Sequence, residues 1–312
     1  MECGDLADPA TMLKLGTRGS PLALAQARIV AARLRMLGAE VEIVPMRTEG
    51  DRLLDAHLAS VGGKGLFVTE IEEALLGGAL ALAVHSLKDL PAELPVGLTL
   101  AAFAERDDPR DVLVTRSGVD FEDLPAGAVV GTSSPRRRAL ALALRPDLVV
   151  EPIRGNVDTR LRKLESGPLD AVILAAAGLS RLGLRPGHAR PLDPMVFVPA
   201  VGQGIIAVEV RAADQTTRAC IDRIDHAPTR VCALAERAYL GRLGASCKTP
   251  MAAHAVLDGA CLRMSAFVAS EDGRQVLRGA ESGTPDECLA LGRRLAETLL
   301  ARGAAAVTAL RV

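Results

Sequence analysis

The sequence predicts an α/β fold with a mostly parallel sheet, followed by a smaller α+β segment. Over the first two thirds, short apolar runs alternate with Ala/Leu-rich stretches at helical spacing, the pattern of successive βα units. After Pro228 that alternation stops. One long helical stretch then precedes paired strand-like runs and a last helix.

The elements follow in order. Residues 13–15 form a strand. Ser20 then caps a helix that carries Pro21 in its first turn, where a missing N–H is harmless, and Gly38 stops it. Residues 41–45 are the next strand, and 67–76 are helical up to Gly77-Gly78. Strand-like runs recur at 80–84, 98–103, 112–114, 129–131, 148–153 and 171–174. A helix covers 229–243, and strands cover 252–256 and 261–269. Thr284-Pro285-Asp286-Glu287 forms a capping box before a helix to about residue 301.

Composition excludes several classes. A chain of 312 residues that is 49% hydrophobic can bury the cores of two or three domains. Aromatics are only 2%, with no Trp, which argues against base-stacking platforms for single-stranded nucleic acid. Lys+Arg (37) balances Asp+Glu (38), so any basic site must be a local concentration. No apolar run reaches the ~20 residues of a membrane span. Residues 1–10 are acidic and lack the basic start and apolar core of a signal peptide, residues 1–11 read as a loose tail, and the cysteine usage fits a reduced, cytosolic protein. No two of the six cysteines sit at CxxC spacing and the five histidines show no ligand spacing, so no metal site is expected.

The chemistry-bearing residues cluster where strands end. The run 80–84 leads into Ser86, Lys88 and Asp89, and polar groups leaving a buried strand commonly face a cleft in open α/β folds. Thr132-Ser133-Ser134-Pro135-Arg136-Arg137-Arg138 follows another strand and opens a helix. Free N–H groups, the helix dipole, hydroxyls and arginines together make an anion site. Arg154-Gly155-Asn156-Val157-Asp158-Thr159-Arg160 repeats this arrangement, as does Arg18-Gly19-Ser20. Gly62-Gly63-Lys64-Gly65 adds a loop whose backbone can approach a ligand, without the spacing of a Walker A motif. Together these junctions predict a cleft for a ligand with several carboxylates or phosphates. Arginine suits carboxylates, which its planar fork pairs bidentately. Cys247 lies in a Gly/Ser loop beside Lys248, a setting that favours thiol reactivity, whereas Cys220 and Cys232 fall on apolar helix faces.

These motifs, together with Glu105–Asp111, Ala177–Gly183 and Pro199–Gly204, resemble porphobilinogen deaminase, in order and over essentially the whole chain. The resemblance implies an enzyme that condenses four porphobilinogen units head to tail with loss of ammonia, then hydrolyses off linear hydroxymethylbilane. It implies a dipyrromethane cofactor in thioether linkage to Cys247. Asp89 matches the family's catalytic aspartate, which implies a buried carboxylate in a water-poor site that stabilises a cationic azafulvene and manages protons. Ser86, Lys88, Asp89, Thr132, Ser133, Ser134, Arg136, Arg137, Arg154 and Gly155 match cofactor contacts. Arg18, Ser20, Lys64, Arg154, Arg160, Arg181 and Gln203 match substrate contacts.

The implied architecture is two periplasmic-binding-protein-like α/β domains around a cleft, with a C-terminal α+β domain. Domain 1 would span 1–104 and 199–222, domain 2 would span 105–198, and domain 3 would span 223–312 with the cysteine loop. A monomer acting on a small molecule is implied, with no metal, nucleic acid or membrane. Ser60, Thr69 and Ser246 stand where the family commonly has lysine, lysine and glycine. A solute-binding protein of similar shape would need a signal peptide but neither Cys247 nor Asp89. A nucleic-acid-binding protein using Arg136–Arg138 fits poorly with balanced charge and scarce aromatics.

Overall fold

The computed structural model describes residues 12–46, 68–244 and 249–308. The N-terminal tail, the glycine loop with Ser60 and Lys64, and Ser246, Cys247 and Lys248 lie outside the described residues. The chain divides into two compact units, Met1–Arg106 with Ile205–Arg230, and Asp107–Gly204 with Val231–Val312.

The first unit holds a five-stranded sheet. Its strands are β1 (Leu13–Arg18), β2 (Val41–Met46), β3 (Leu82–Ser86), β4 (Leu98–Phe103) and β10 (Ile206–Arg211), in the order β2-β1-β3-β10-β4. β1 pairs in parallel with β2 and β3, while β10 runs antiparallel to both β3 and β4. Helix α1 (Pro21–Met36) starts as expected, with the Ser20 hydroxyl accepting the N–H of Ala23. Its buried face, Ala27, Val30, Ala31 and Leu34, packs with Leu15, Leu82 and Val208. Helix α2 (Thr69–Leu76) covers the opposite face through Ile71 and Leu75, against Leu80, Ala83 and Leu98. Each fully buried leucine contributes about 1.5–3 kcal/mol.

The second unit repeats this topology. Strands β5 (Asp111–Thr115), β6 (Val129–Gly131), β7 (Val149–Glu151), β8 (Ala171–Ala175) and β9 (Ala189–Pro191) take the order β7-β6-β8-β5-β9. β6 is parallel to β7 and β8, while β5 is antiparallel to β8 and β9. Helices α3 (Pro135–Leu144), α4 (Val157–Ser166) and α5 (Ala176–Arg181) follow β6, β7 and β8.

The expectation of a mostly parallel sheet therefore needs correction. Each five-stranded sheet is mixed, with two parallel and two antiparallel pairings. The strand that reverses the first sheet, β10, returns from a distant part of the sequence, so no βαβ crossover forces it to be parallel. The strand-like alternation did not single out β10, whose residues are buried on both faces.

A third, antiparallel sheet of β11 (Met251–Asp258), β12 (Cys261–Ala269) and β13 (Val276–Gly283) lies in the second unit. Ala252, Phe267 and Ala269 share one core with Leu113, Val130, Leu140 and Phe197. Helix α6 (Gln215–Asp222) belongs to the first unit, and α7 (Ala227–Leu243), α8 (Cys288–Ala301) and α9 (Ala304–Thr308) complete the chain. The capping box is present, with a 3-10 turn at Pro285–Glu287 leading into α8. Gly292 sits where a Cβ would lie 2.1 Å from the Ala235 carbonyl oxygen, so only glycine lets α8 come this close to α7.

Candidate functional site

In the first unit, the parallel register of β1 and β3 puts their C-terminal ends on one edge of the sheet. Arg18 ends β1 and is half-buried, and Ser20 caps α1 beside it. β3 runs to Ser86, two residues beyond the expected end, and Leu87–Asp89 form a single 3-10 turn. Leu87 and Leu90 are 1% and 4% exposed and pin this turn, and the Leu87 N–H donates to the Ile205 carbonyl over 3.0 Å. Spaced i and i+3, the two leucines anchor the turn in the core and leave Lys88 half-buried and Asp89 exposed. The expectation of a buried, water-poor carboxylate at Asp89 is corrected accordingly. Ser86 is held by Gln26 of α1, whose Nε2 donates to the hydroxyl over 2.7 Å.

In the second unit, the C-terminal ends of β6, β7 and β8 share an edge, and the N-termini of α3 and α4 open from it. Ser134 caps α3 by accepting the Arg137 N–H, and Asn156 caps α4 by accepting the Thr159 N–H over 2.9 Å. The Ser133 hydroxyl donates to the Ile153 carbonyl over 2.7 Å and ties one junction to the other. Thr132 is buried, its hydroxyl accepting the Ser134 N–H. Gly155 has φ +108°, a backbone that favours glycine, and a Cβ there would meet Thr159 at 2.6 Å. Arg154 is exposed, while Arg160 turns back to donate to the Gly155 carbonyl over 3.0 Å.

Arg136 and Arg137 do not form a solvated helix face. They are 4% and 6% exposed and converge on Asp111, the first residue of β5, which is fully buried. Arg136 donates to Oδ2 over 2.7 Å, and Arg137 donates to Oδ1 through Nε at 2.9 Å and Nη2 at 2.7 Å. Burial disfavours the Asp111 charge, but the two guanidiniums outweigh it and hold the carboxyl far below the usual carboxylate range. Arg160 is lowered from its ordinary value chiefly by burial and then by the like charge of Arg137.

Gln203 and Arg181 are also turned inward. Gln203 is 1% exposed and donates to the Pro109 carbonyl at 2.7 Å and to Asp111 Oδ1 at 3.0 Å. Arg181 donates to the Gly204 carbonyl over 2.5 Å and lies 3.5 Å from Asp107. Asp111, Gln26 and Glu236 carried no role in the sequence reading. Glu236 is fully buried and accepts the N–H groups of Gly202 (2.6 Å) and Ala255 (2.8 Å). A carboxylate standing directly before the apolar run 112–114 was the available signal for Asp111.

Residues 13–219 match the family described as porphobilinogen deaminase, dipyromethane cofactor binding domain, and residues 230–301 match the C-terminal domain of porphobilinogen deaminase. The chain belongs to the porphobilinogen deaminase family. Its similar relatives include the porphobilinogen deaminase of Pelobacter propionicus, 49% identical over 96% of this chain and 97% of the relative. That of Geobacter metallireducens is 50% identical over 94% of this chain and 92% of the relative. Among solved structures, a periplasmic substrate-binding protein of an ABC transporter from Coxiella burnetii is a distant likeness, with a TM-score of 0.42 at 15% identity over 73% of this chain and 97% of that one.

The family's reaction is this chain's reaction. It condenses porphobilinogen stepwise, with loss of ammonia, onto a dipyrromethane cofactor and yields hydroxymethylbilane. Among the described residues no helix is long and apolar enough to cross a membrane. No group of three or more His, Cys, Asp or Glu among them could hold a metal ion.

The donor set fits a dipyrromethane, each ring of which bears an acetate and a propionate. Asp111 carries one negative charge against two arginines, which leaves a positive charge uncompensated at the start of α3, where the helix dipole adds to it. The Arg136 Nε is buried with no hydrogen-bond partner among the described residues. A buried, unanswered donor beside excess positive charge calls for an anion.

Proposed function

We propose that the basic helix starts of the second unit hold carboxylates of cofactor and growing chain, that Asp89 acts on the reacting pyrroles, and that Cys247 is the point of thioether attachment. The uncompensated positive charge around Asp111 supports this reading most. Arg136 and Arg137, with the hydroxyls and N–H groups of Thr132, Ser133 and Ser134, serve the cofactor. Arg154 and Arg160 at the start of α4 serve substrate carboxylates, and Gly155 lets the backbone come close. In the first unit, Arg18, Ser20, Ser86 and Lys88 supply donors near Asp89, and Lys64 is assigned to the same substrate-binding set. Arg181 and Gln203 act through the segment they hold, since their polar groups are engaged within the protein.

Each added unit brings two further carboxylates, so the need for cations grows with the chain. Arginine meets that need with a fork that stays charged. When bound, the dipyrromethane supplies the pyrrole end onto which units are added. As ammonia leaves the substrate, positive charge develops, and the Asp89 carboxylate stabilises it and accepts or returns a proton at its oxygens. Asp89 is exposed, so its carboxylate is accessible to the pyrroles that would bind there. We read the enzyme as a cytoplasmic monomer.

Porphobilinogen turnover by Asp89→Asn, set beside its melting curve, tests this reading. Turnover falls by about 10²-fold or more with folding intact. Near-normal turnover would reduce Asp89 to a strand-end residue.

A further inference from the structure

We propose that Asp111 is the positioning residue of the anion site: its carboxylate, oriented by Gln203, makes Arg136 and Arg137 converge and fixes their net charge. The inference rests on the reading that these arginines bind carboxylates of the cofactor.

Successive residues on an α-helix point about 100° apart and do not face each other. Arg136 and Arg137 are successive, yet their guanidiniums meet. The shared carboxylate accounts for this, because Arg136 takes Oδ2 while Arg137 closes on Oδ1 through two nitrogens. Each arginine has one further fixed point, the Val198 carbonyl at 2.7 Å for Arg136 and the Ile173 carbonyl at 2.9 Å for Arg137. Gln203 turns the carboxylate itself, since one Nε2 spans Pro109 and Asp111. The guanidiniums are thereby set before any ligand arrives, which lowers the entropy that binding must overcome.

Charge distinguishes this arrangement from a purely structural ion pair. A buried network kept for stability gains from neutrality, because an uncompensated interior charge is costly. This one holds two cations and one anion, all at most 6% exposed. Removing Asp111 would leave two adjacent like charges facing each other. Balancing it fully would leave nothing for a carboxylate ligand to neutralise.

The test uses the full chain expressed with substrate available, in four variants. They are Asp111→Asn, which keeps size and removes charge; Gln203→Leu, which frees the Asp111 carboxylate; and Arg136→Lys and Arg137→Lys. Cofactor occupancy is read from intact mass, KM and kcat from porphobilinogen turnover, and folding from melting. In folded protein, Asp111→Asn lowers occupancy by about tenfold, the effect of one lost charge-assisted contact. Gln203→Leu raises KM several-fold with kcat little changed. Should Asp111→Asn fail to fold, Gln203→Leu decides. Wild-type occupancy and KM in every folded Asp111 or Gln203 variant, with only the melting temperature lowered, would overturn the proposal. If the two lysine variants are also wild-type in occupancy and KM, the anion-binding reading itself has failed. If they are impaired while the Asp111 and Gln203 variants are not, only the positioning role is lost.

Discussion

His85 and Glu209 meet through Nε2 and Oε2 at 3.0 Å in the interior of the first unit, with side chains 4% and 0% exposed. Glu72 of α2 is 7% exposed, and the Glu72 and Glu209 Oε1 atoms have no hydrogen-bond partner among the described residues. Burial first, and then the charge of Glu209, push the Glu72 carboxyl up to about 7, against the lowering effect of His85. A carboxyl raised on folding stabilises the protein fully below its unfolded value of 4.5, and that contribution disappears as pH rises through 7. The melting temperature therefore falls as pH rises from about 4.5 through 7, and the part lost between pH 6 and 8 is equivalent to about 1.4 kcal/mol. Glu72→Gln removes that slope and melts above wild type at pH 8. Superimposable pH profiles for the two proteins would refute the assignment.

Gln26 is a second-layer support for Ser86, exchanging hydrogen bonds of 2.7 and 3.1 Å with its hydroxyl. Gln26→Leu leaves the polar end of β3 without its anchor and costs about 1 kcal/mol of stability. KM for porphobilinogen rises a few-fold because Ser86 is no longer oriented. Unchanged KM and melting temperature would mean that Ser86 is placed by β3 alone.

Arg154→Lys and Arg160→Lys keep the charge and lose the planar fork. Turnover slows by about tenfold in each, and enzyme–substrate intermediates accumulate as discrete masses, because the added rings lose bidentate partners. Arg160→Lys is the more damaging, since the Arg160 side chain is already folded back on Gly155. Wild-type turnover in both variants would remove these residues from the substrate site.

The carboxylate of Glu236 accepts N–H groups from two separate segments, at Gly202 and Ala255. Glu236→Gln sets an amide donor against one of those N–H groups. The variant loses about 2–3 kcal/mol, read as a lowered melting temperature, while KM of the folded protein stays within twofold. A melting temperature equal to wild type would show that water satisfies those N–H groups instead.

Much of this arrangement is legible in the sequence where local chemistry sets it. Ser20 and Pro21 announce α1, Ser134 and Pro135 announce α3, and the glycine after Arg154 marks a backbone only glycine holds comfortably. Arg136–Arg138 announce a basic helix start but not where each guanidinium goes. That depends on Asp111, 25 residues away from Arg136 in sequence, and on Gln203, 92 residues from Asp111. β10 escaped for a related reason. Its place between β3 and β4 is set by tertiary pairing, and a strand buried on both faces shows no alternation. Asp89 was placed correctly at a strand exit. Its exposure could not be read from residues 80–91, because it follows from the way Leu87 and Leu90 pin the turn.

The most direct test of the account is the intact mass of the purified protein, wild type beside Cys247→Ala, both expressed with substrate available. Wild type exceeds its sequence mass by two pyrrole units, Cys247→Ala shows no increase, and Cys232→Ala, a buried core position, keeps it. An adduct of the same mass retained on Cys247→Ala, or a wild type of bare sequence mass that nonetheless turns over porphobilinogen, would contradict it.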